Sequence, residues 1–243
     1  MYPEICKLGP FTIYSYGLML VIAFMAAAFI ATREAKRTGV NPDTVFNLCF
    51  IVFISGVIGA RIFYVLANFP YYLRYPQEMI MLQKGGLAWF GGLILGTLSG
   101  LYYLKAKKLG VYRILDLLAP AVVIGQAIGR LGCFLNGCCF GKESAYGIFS
   151  PAHGAHLIPT QLYSSLFLVI IFIFLRYLQR RPHQEGAIFF TYLFLYSAKR
   201  FLIEFWRGDS PILAWGLTLF QFISIAIFLI ALTGLFLLKT RKG

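Results

Sequence analysis

Charge is what this sequence has least of. Only 13% of its 243 residues are charged, and nine of them are acidic. A soluble domain of this size carries about twice that share, so a soluble globular fold is excluded. Alternation of apolar and polar residues is missing from the long apolar runs, which excludes a transmembrane β-barrel. The five cysteines, Cys6, Cys49, Cys133, Cys138 and Cys139, show no paired CxxC spacing with partner histidines. That argues against a zinc site; the expectation for the chain is no metal and no cofactor. The neighbours Cys138 and Cys139 are poorly placed to bridge one another. An internal repeat is also missing, which argues against an alternating-access transporter. With no linker either, residues 1–243 read as one integral-membrane domain.

What is present is hydrophobicity, at 59% of residues. The runs reach the roughly 20 residues that a spanning helix needs. The expectation is an all-α polytopic membrane protein with seven transmembrane helices, at about 11–31, 44–66, 85–104, 114–137, 159–177, 186–203 and 213–238. The first is no signal peptide, because its basic cluster (Arg33, Lys36, Arg37) follows the apolar run. Residues 1–10 read as a polar lead, 68–84 as an aromatic interfacial loop, and 138–158 as a Gly/Ser/His loop. Asn41-Pro42-Asp43 reads as the cap of the second span.

The net charge of +13 would suggest nucleic acid on a soluble protein. Its distribution says otherwise. Thirteen of the 22 basic residues follow spans one, three, five and seven. Seven lie on the other side: Lys7, Arg74, Lys84, Lys142, Lys199, Arg200 and Arg207. Arg61 and Arg130 lie within spans. The positive-inside rule then puts the N-terminus outside and the C-terminus in the cytoplasm. The charge is topology and attraction to anionic lipid, with the membrane as partner and no nucleic acid.

An arginine with no acidic neighbour in sequence, Arg130, closes the fourth span within Gly129–Gly141. At the centre of a membrane helix such a charge costs about 2.5–3.5 kcal/mol on insertion scales. It either snorkels to the headgroups or meets an anion in a cavity, and a guanidinium fork suits phosphate. The predicted topology brings Tyr16, Arg61, Arg130, Asn136, Gln161, Arg200, Glu204, Arg207 and Asp209 to the outer half of the membrane. Polar groups converging there mark a functional cavity. Arg200, Glu204 and Arg207 share a helical face, so an ion-pair ladder is the plainer account of those three. His153 and His156 are either solvated loop histidines or include a proton acceptor. Cys133, Cys138 and Cys139 are either small packing residues or reactive thiols.

The ordered pieces resemble the bacterial prolipoprotein diacylglyceryl transferases. They are Tyr16-Gly17-Leu18, Gly59-Ala60-Arg61, Gly91-Gly92, Gly129–Gly141, Pro159-Thr160-Gln161-Leu162-Tyr163, Arg200 to Asp209, and Gly216-Leu217-Thr218 with Gln221. The resemblance implies transfer of a diacylglyceryl group from phosphatidylglycerol to the lipobox cysteine of a preprolipoprotein. It implies a bacterial inner (cell) membrane location with the site facing the outer, periplasmic side. Arg130, Arg200 and Glu204 are then the candidate catalytic residues. Tyr16, Arg61, Asn136, Gly141, Gln161 and Arg207 join Arg130 as candidate substrate-binding residues, and His156 is a candidate base. The chain departs from the family pattern at Phe90 and Ile158, where His is usual. It departs again at Cys133 for Asn, Cys138 for Glu and Ser164 for Glu. A relative acting on a different lipid or acceptor, or a non-enzymatic lipid-binding or transport protein, stays open as the alternative.

Overall fold

The computed structural model describes residues 4–8, 11–81, 85–151 and 153–240. Lys84, Arg241 and Lys242, counted above in the charge distribution, lie outside them. The described chain is mostly helical: α1 Ser15–Thr38, α2 Pro42–Ala67, α3 Phe69–Arg74, α4 Trp89–Ala106, α5 Val111–Asn136, α6 Thr160–Gln179, α7 Ala187–Glu204 and α8 Leu219–Thr240. Five of these, α1, α2, α5, α6 and α8, are long and apolar enough to cross a membrane. Helix α4 is diluted by Gly91, Gly92, Gly96 and Gly100, and α7 carries Lys199, Arg200 and Glu204.

Three expected boundaries move because short hairpins take residues that read as helix or loop. Strand β1 (Glu4–Leu8) pairs with β2 (Phe11–Tyr14), so the first helix starts at Ser15 and not at Phe11. Strand β3 (Glu143–Ser150) pairs with β4 (Ala155–Leu157) inside the expected 138–158 loop. Strands β5 (Ile212–Ala214) and β6 (Leu217–Thr218) pair ahead of α8, which starts at Leu219 and not at 213. Both central residues of that last turn, Trp215 and Gly216, have positive φ (50° and 73°). That is the mirror-image turn whose twist suits a two-residue hairpin. The aromatic loop after α2 contains α3 and a 3-10 turn, Pro76–Ile80, each with a proline in its first turn.

The chain divides into two compact units, one of residues 1–30 with 112–243 and the other of 31–111. In the second unit, Asn41 caps α2 as its sequence predicts. Its side-chain oxygen accepts from the amides of Asp43 (2.8 Å) and Thr44 (3.2 Å). Helices α2 and α4 then meet backbone to backbone. A Cβ on Gly59 would come within 2.4 Å of the Gly91 carbonyl oxygen, and one on Gly91 within 2.3 Å of that of Gly59. Small residues let helices approach this closely where lipid offers no hydrophobic drive. The Ser55 and Ser99 hydroxyls hydrogen-bond across the same seam at 2.6 Å.

In the first unit the core lies between α5, α6 and α7, built from Ala119, Val123, Ala127, Leu168, Leu175, Ile188 and Tyr192. One buried carboxylate ties it together. Gly186 precedes α7 with φ 95° and has no side chain to cap the helix. Asp116 of α5 does so instead, accepting from the amides of Gly186 (2.6 Å) and Phe189 (2.7 Å). A carboxylate there also complements the positive end of the helix dipole. Asp116→Ala leaves buried donors unmatched, at about 1–3 kcal/mol each. The expected result is a lower thermal midpoint for the detergent-solubilised protein, with Asp116→Asn falling between the two.

Candidate active site

The last turn of α5 places the thiols. Gly137 has φ 76°, and its amide bonds the Phe134 carbonyl at 3.2 Å while the Cys138 amide bonds that of Cys133 at 3.1 Å. This pair of bonds is a Schellman cap, in which the third residue from the helix end faces the second residue beyond it. Here those positions are Cys133 and Cys138. Cys139 follows with φ 61°, a conformation that costs a non-glycine residue about 1–2 kcal/mol. It is held there from α6. Thr160 Oγ1 donates to the Cys139 carbonyl (2.8 Å) and Gln161 Nε2 to that of Cys138 (2.7 Å). The three sulfurs lie within 4.8 Å of one another. Thiol hydrogen bonds from Cys133 and Cys138, aided by Arg130 and Arg207, hold Cys139 below the usual thiol range. The spacing argument against a metal therefore missed this cluster, which chain reversal makes and CxxC arithmetic does not count.

Gly141 locks the next segment. Its amide donates to the Ile158 carbonyl (3.0 Å), and the following amide, of Lys142, donates to that of Trp206 (2.9 Å). Gly208 donates back to Phe140 (3.2 Å). A Cβ on Gly141 would sit 2.6 Å from the Ile158 oxygen and 2.8 Å from the Trp206 oxygen. The chain beyond α7, bearing Arg207, is thereby fastened beside the α5 exit.

Charged groups gather at the end of α7. Glu204 is buried. Its Oε2 lies 3.1 Å from Arg200 Nη2 and 3.9 Å from Arg207 Nε, and its Oε1 accepts from Thr218 Oγ1 at 3.1 Å. Helix α7 stops at Glu204, so Arg207 does not continue the expected helical face. It pairs with Asp209 through two bonds, of 2.8 and 2.6 Å. The Arg200 guanidinium also lies 4.6 Å from the centre of the Phe220 ring. Arg130 is within electrostatic reach of Lys199, Arg200 and Arg207, and among the described residues no ion pair joins it to a carboxylate. An ion-pair ladder thus accounts for Arg200 and Glu204 but leaves Arg130 and Lys199 unexplained.

Lys199 was missed by the sequence reading, which counted it only as a basic flank. It is 5% exposed, its Nζ has no hydrogen-bond partner, and it lies 4.7 Å from the Tyr196 ring centre. The available signal was the adjacent pair Lys199-Arg200 one turn before a buried glutamate. Three arginines here, Arg130, Arg200 and Arg207, face the two carboxylates Glu204 and Asp209, and that surplus calls for an anion.

The other expected residues divide. Tyr16, at the start of α1, is within electrostatic reach of Arg130 and the three thiols, and its ring packs on the helix at Gly132. Gln161 is buried and holds the thiol loop. Asn136 is exposed at the end of α5, beside Cys138. His156 is exposed on β4, with its Nδ1 3.2 Å from the Gly147 carbonyl and its ring against Phe149. Those contacts keep it within its own hairpin. Arg61, expected as a substrate contact, has its donors engaged within the chain. All five of its N–H donors go to backbone carbonyls of one loop: Nε to Met79, Nη1 to Gly85 and Gly86, Nη2 to Glu78 and Met81. None is left for a phosphate.

Comparison with known proteins matches nearly the whole chain. The family model for prolipoprotein diacylglyceryl transferase matches residues 3–237. A phosphatidylglycerol–prolipoprotein diacylglyceryl transferase of Clostridium tetani (strain Massachusetts / E88) is 34% identical over 233 residues, covering 93% of each chain. One of Streptococcus pyogenes serotype M5 (strain Manfredo) is 34% identical over 250 residues, covering 99% of this chain and 95% of its own. With a family model matched over residues 3–237 and relatives 34% identical over 93–99% of its length, this chain belongs to the prolipoprotein diacylglyceryl transferase family.

Proposed function

We propose that the chain transfers the diacylglyceryl group of phosphatidylglycerol to the lipobox cysteine thiol of a preprolipoprotein. The observation that carries the reading is the surplus of guanidinium charge formed by Arg130, Arg200 and Arg207 around Glu204 and Asp209. In this reaction the acceptor thiol releases its proton to solvent, its sulfur bonds the glyceryl carbon, and the carbon–oxygen bond to phosphate breaks. The electron pair leaves on glycerol phosphate. Phosphate enters as a diester monoanion and leaves as a monoester approaching the dianion. Fixed cations favour the product-like charge over the starting charge, which lowers the barrier. Arg130 and Arg200 hold the phosphate in this reading. Glu204 aims Arg200 through the 3.1 Å ion pair and is itself fixed by Thr218. Tyr16, Asn136 and Arg207 line the headgroup and acceptor approach, while Gln161 and Gly141 hold the backbone behind them.

The same reading carries the finer topology. Helices α4 and α7 join the five apolar helices as spans, giving seven, with the N-terminus outside and the basic flanks inside. The site then opens to the outer leaflet of a bacterial cell membrane, where lipid donor and tethered acceptor meet. The test is complementation. The chain is expressed in a bacterium depleted of its own diacylglyceryl transferase, and conversion of a preprolipoprotein is followed by gel shift. Conversion is expected from the natural chain and not from Arg200→Ala. An inserted, well-expressed natural chain that converts nothing overturns the reading.

A further inference from the structure

Outside the cations, the most concentrated chemistry among the described residues is the thiol cluster at the end of α5. Cys133, Cys138 and Cys139 are each half-buried, so the group is held by protein on one side and reachable on the other. Their sulfurs already lie within 4.8 Å of one another. Tetrahedral zinc with bonds of about 2.3 Å holds its sulfurs about 3.8 Å apart. The cluster therefore needs to close by about 1 Å at most. Its backbone is arranged in advance: the Schellman cap sets Cys133 against Cys138, and Thr160 and Gln161 fix the Cys138 and Cys139 carbonyls. The strained φ of Cys139 is a cost met at the residue that supplies the third sulfur.

We propose that Cys133, Cys138 and Cys139 form a binding site for one thiophilic d10 metal ion of the zinc class. Each sulfur that still carries a proton gives it up to solvent as three metal–sulfur bonds form, and no electron changes hands. Three thiolates around a divalent ion carry one net negative charge. Arg130 and Arg207 are within electrostatic reach of the cluster and favour that anionic complex over the free ion. Among the described residues no fourth His, Cys, Asp or Glu joins the group. The fourth position is thus filled from outside the chain, the pattern of zinc sites that take up an exchangeable ligand rather than purely structural ones.

This proposal does not rest on the transferase reading, and its test reads metal and sulfur and not turnover. The full chain, purified in detergent with a phosphine reductant and no added thiol, is titrated with Cd²⁺. The expected result is a thiolate-to-cadmium ultraviolet band that saturates at one ion per chain and is displaced by Zn²⁺. Cys133→Ser, Cys138→Ser and Cys139→Ser should each weaken uptake by more than the roughly 10–100-fold that loss of an outer-shell partner costs. Cys6→Ser with Cys49→Ser should leave uptake unchanged. No uptake by the fully reduced natural chain overturns the proposal whatever the variants do. So does uptake that survives in a monodisperse variant lacking all three thiols.

Discussion

Arg130→Ala is expected to lower the turnover of diacylglyceryl transfer by about 10²–10³-fold, the usual cost of removing one donor aimed at developing charge. The loss should fall more on kcat than on KM. The diester and the leaving monoester differ by nearly one negative charge, and a fixed cation acts in proportion to the charge it meets. Arg130→Lys should recover part of the activity, because it restores charge without the fork. Stability should move little or rise, since among the described residues Arg130 has no carboxylate partner and sits among Lys199, Arg200 and Arg207. The measurement is steady-state transfer from phosphatidylglycerol to a lipobox peptide, with a thermal melt on the same sample. Full turnover by the alanine variant would remove Arg130 from the phosphate site.

Gly141→Ala should be nearly as damaging although it changes no charge. The added methyl meets the Ile158 and Trp206 carbonyl oxygens at 2.6 and 2.8 Å, and neither backbone can yield without breaking the bonds that Gly141 and Lys142 make to them. The segment that gives way carries Arg207, so the expected outcome is a loss of at least about 10²-fold with the helices intact, as misplacement of about 1 Å does elsewhere. Circular dichroism separates this from unfolding: native helix content with lost activity is expected. Ordinary activity in Gly141→Ala would show that the crossing does not set the site.

Much of this was legible in the sequence, for physical reasons that can be named. Long apolar runs announce helices whatever they pack against, and the Asn41 cap is local chemistry, so both emerged as read. Arg130 and Glu204 were legible because charge inside an apolar run is costly and needs a cause. What escaped depended on contacts distant in sequence. The hairpins before α1 and α8 were hidden inside apolar stretches that read as helix starts. Asp116 caps a helix that begins 70 residues later. Lys199 looked like a flank until its burial was seen. The thiols were read as packing residues or reactive groups and not as a cluster, because their grouping arises from a helix cap and one left-handed residue. Arg61, which the resemblance implies as a substrate contact, gives every donor to carbonyl oxygens 17 to 25 residues away, which no local pattern announces.

That arrangement of Arg61 bears on biogenesis. Its five acceptors lie 17 to 25 residues farther along the chain. A ribosome-bound chain that has exposed only α2 to the insertion machinery holds this charge with nothing to satisfy it. The neutralising carbonyls arrive only with residues 78–86, immediately ahead of α4, whose glycines then close on Gly56 and Gly59. Satisfaction of the charge in α2 thus waits on synthesis of the return loop. A chain truncated after Ala67 should leave α2 poorly inserted, while one extended through Ala106 should not.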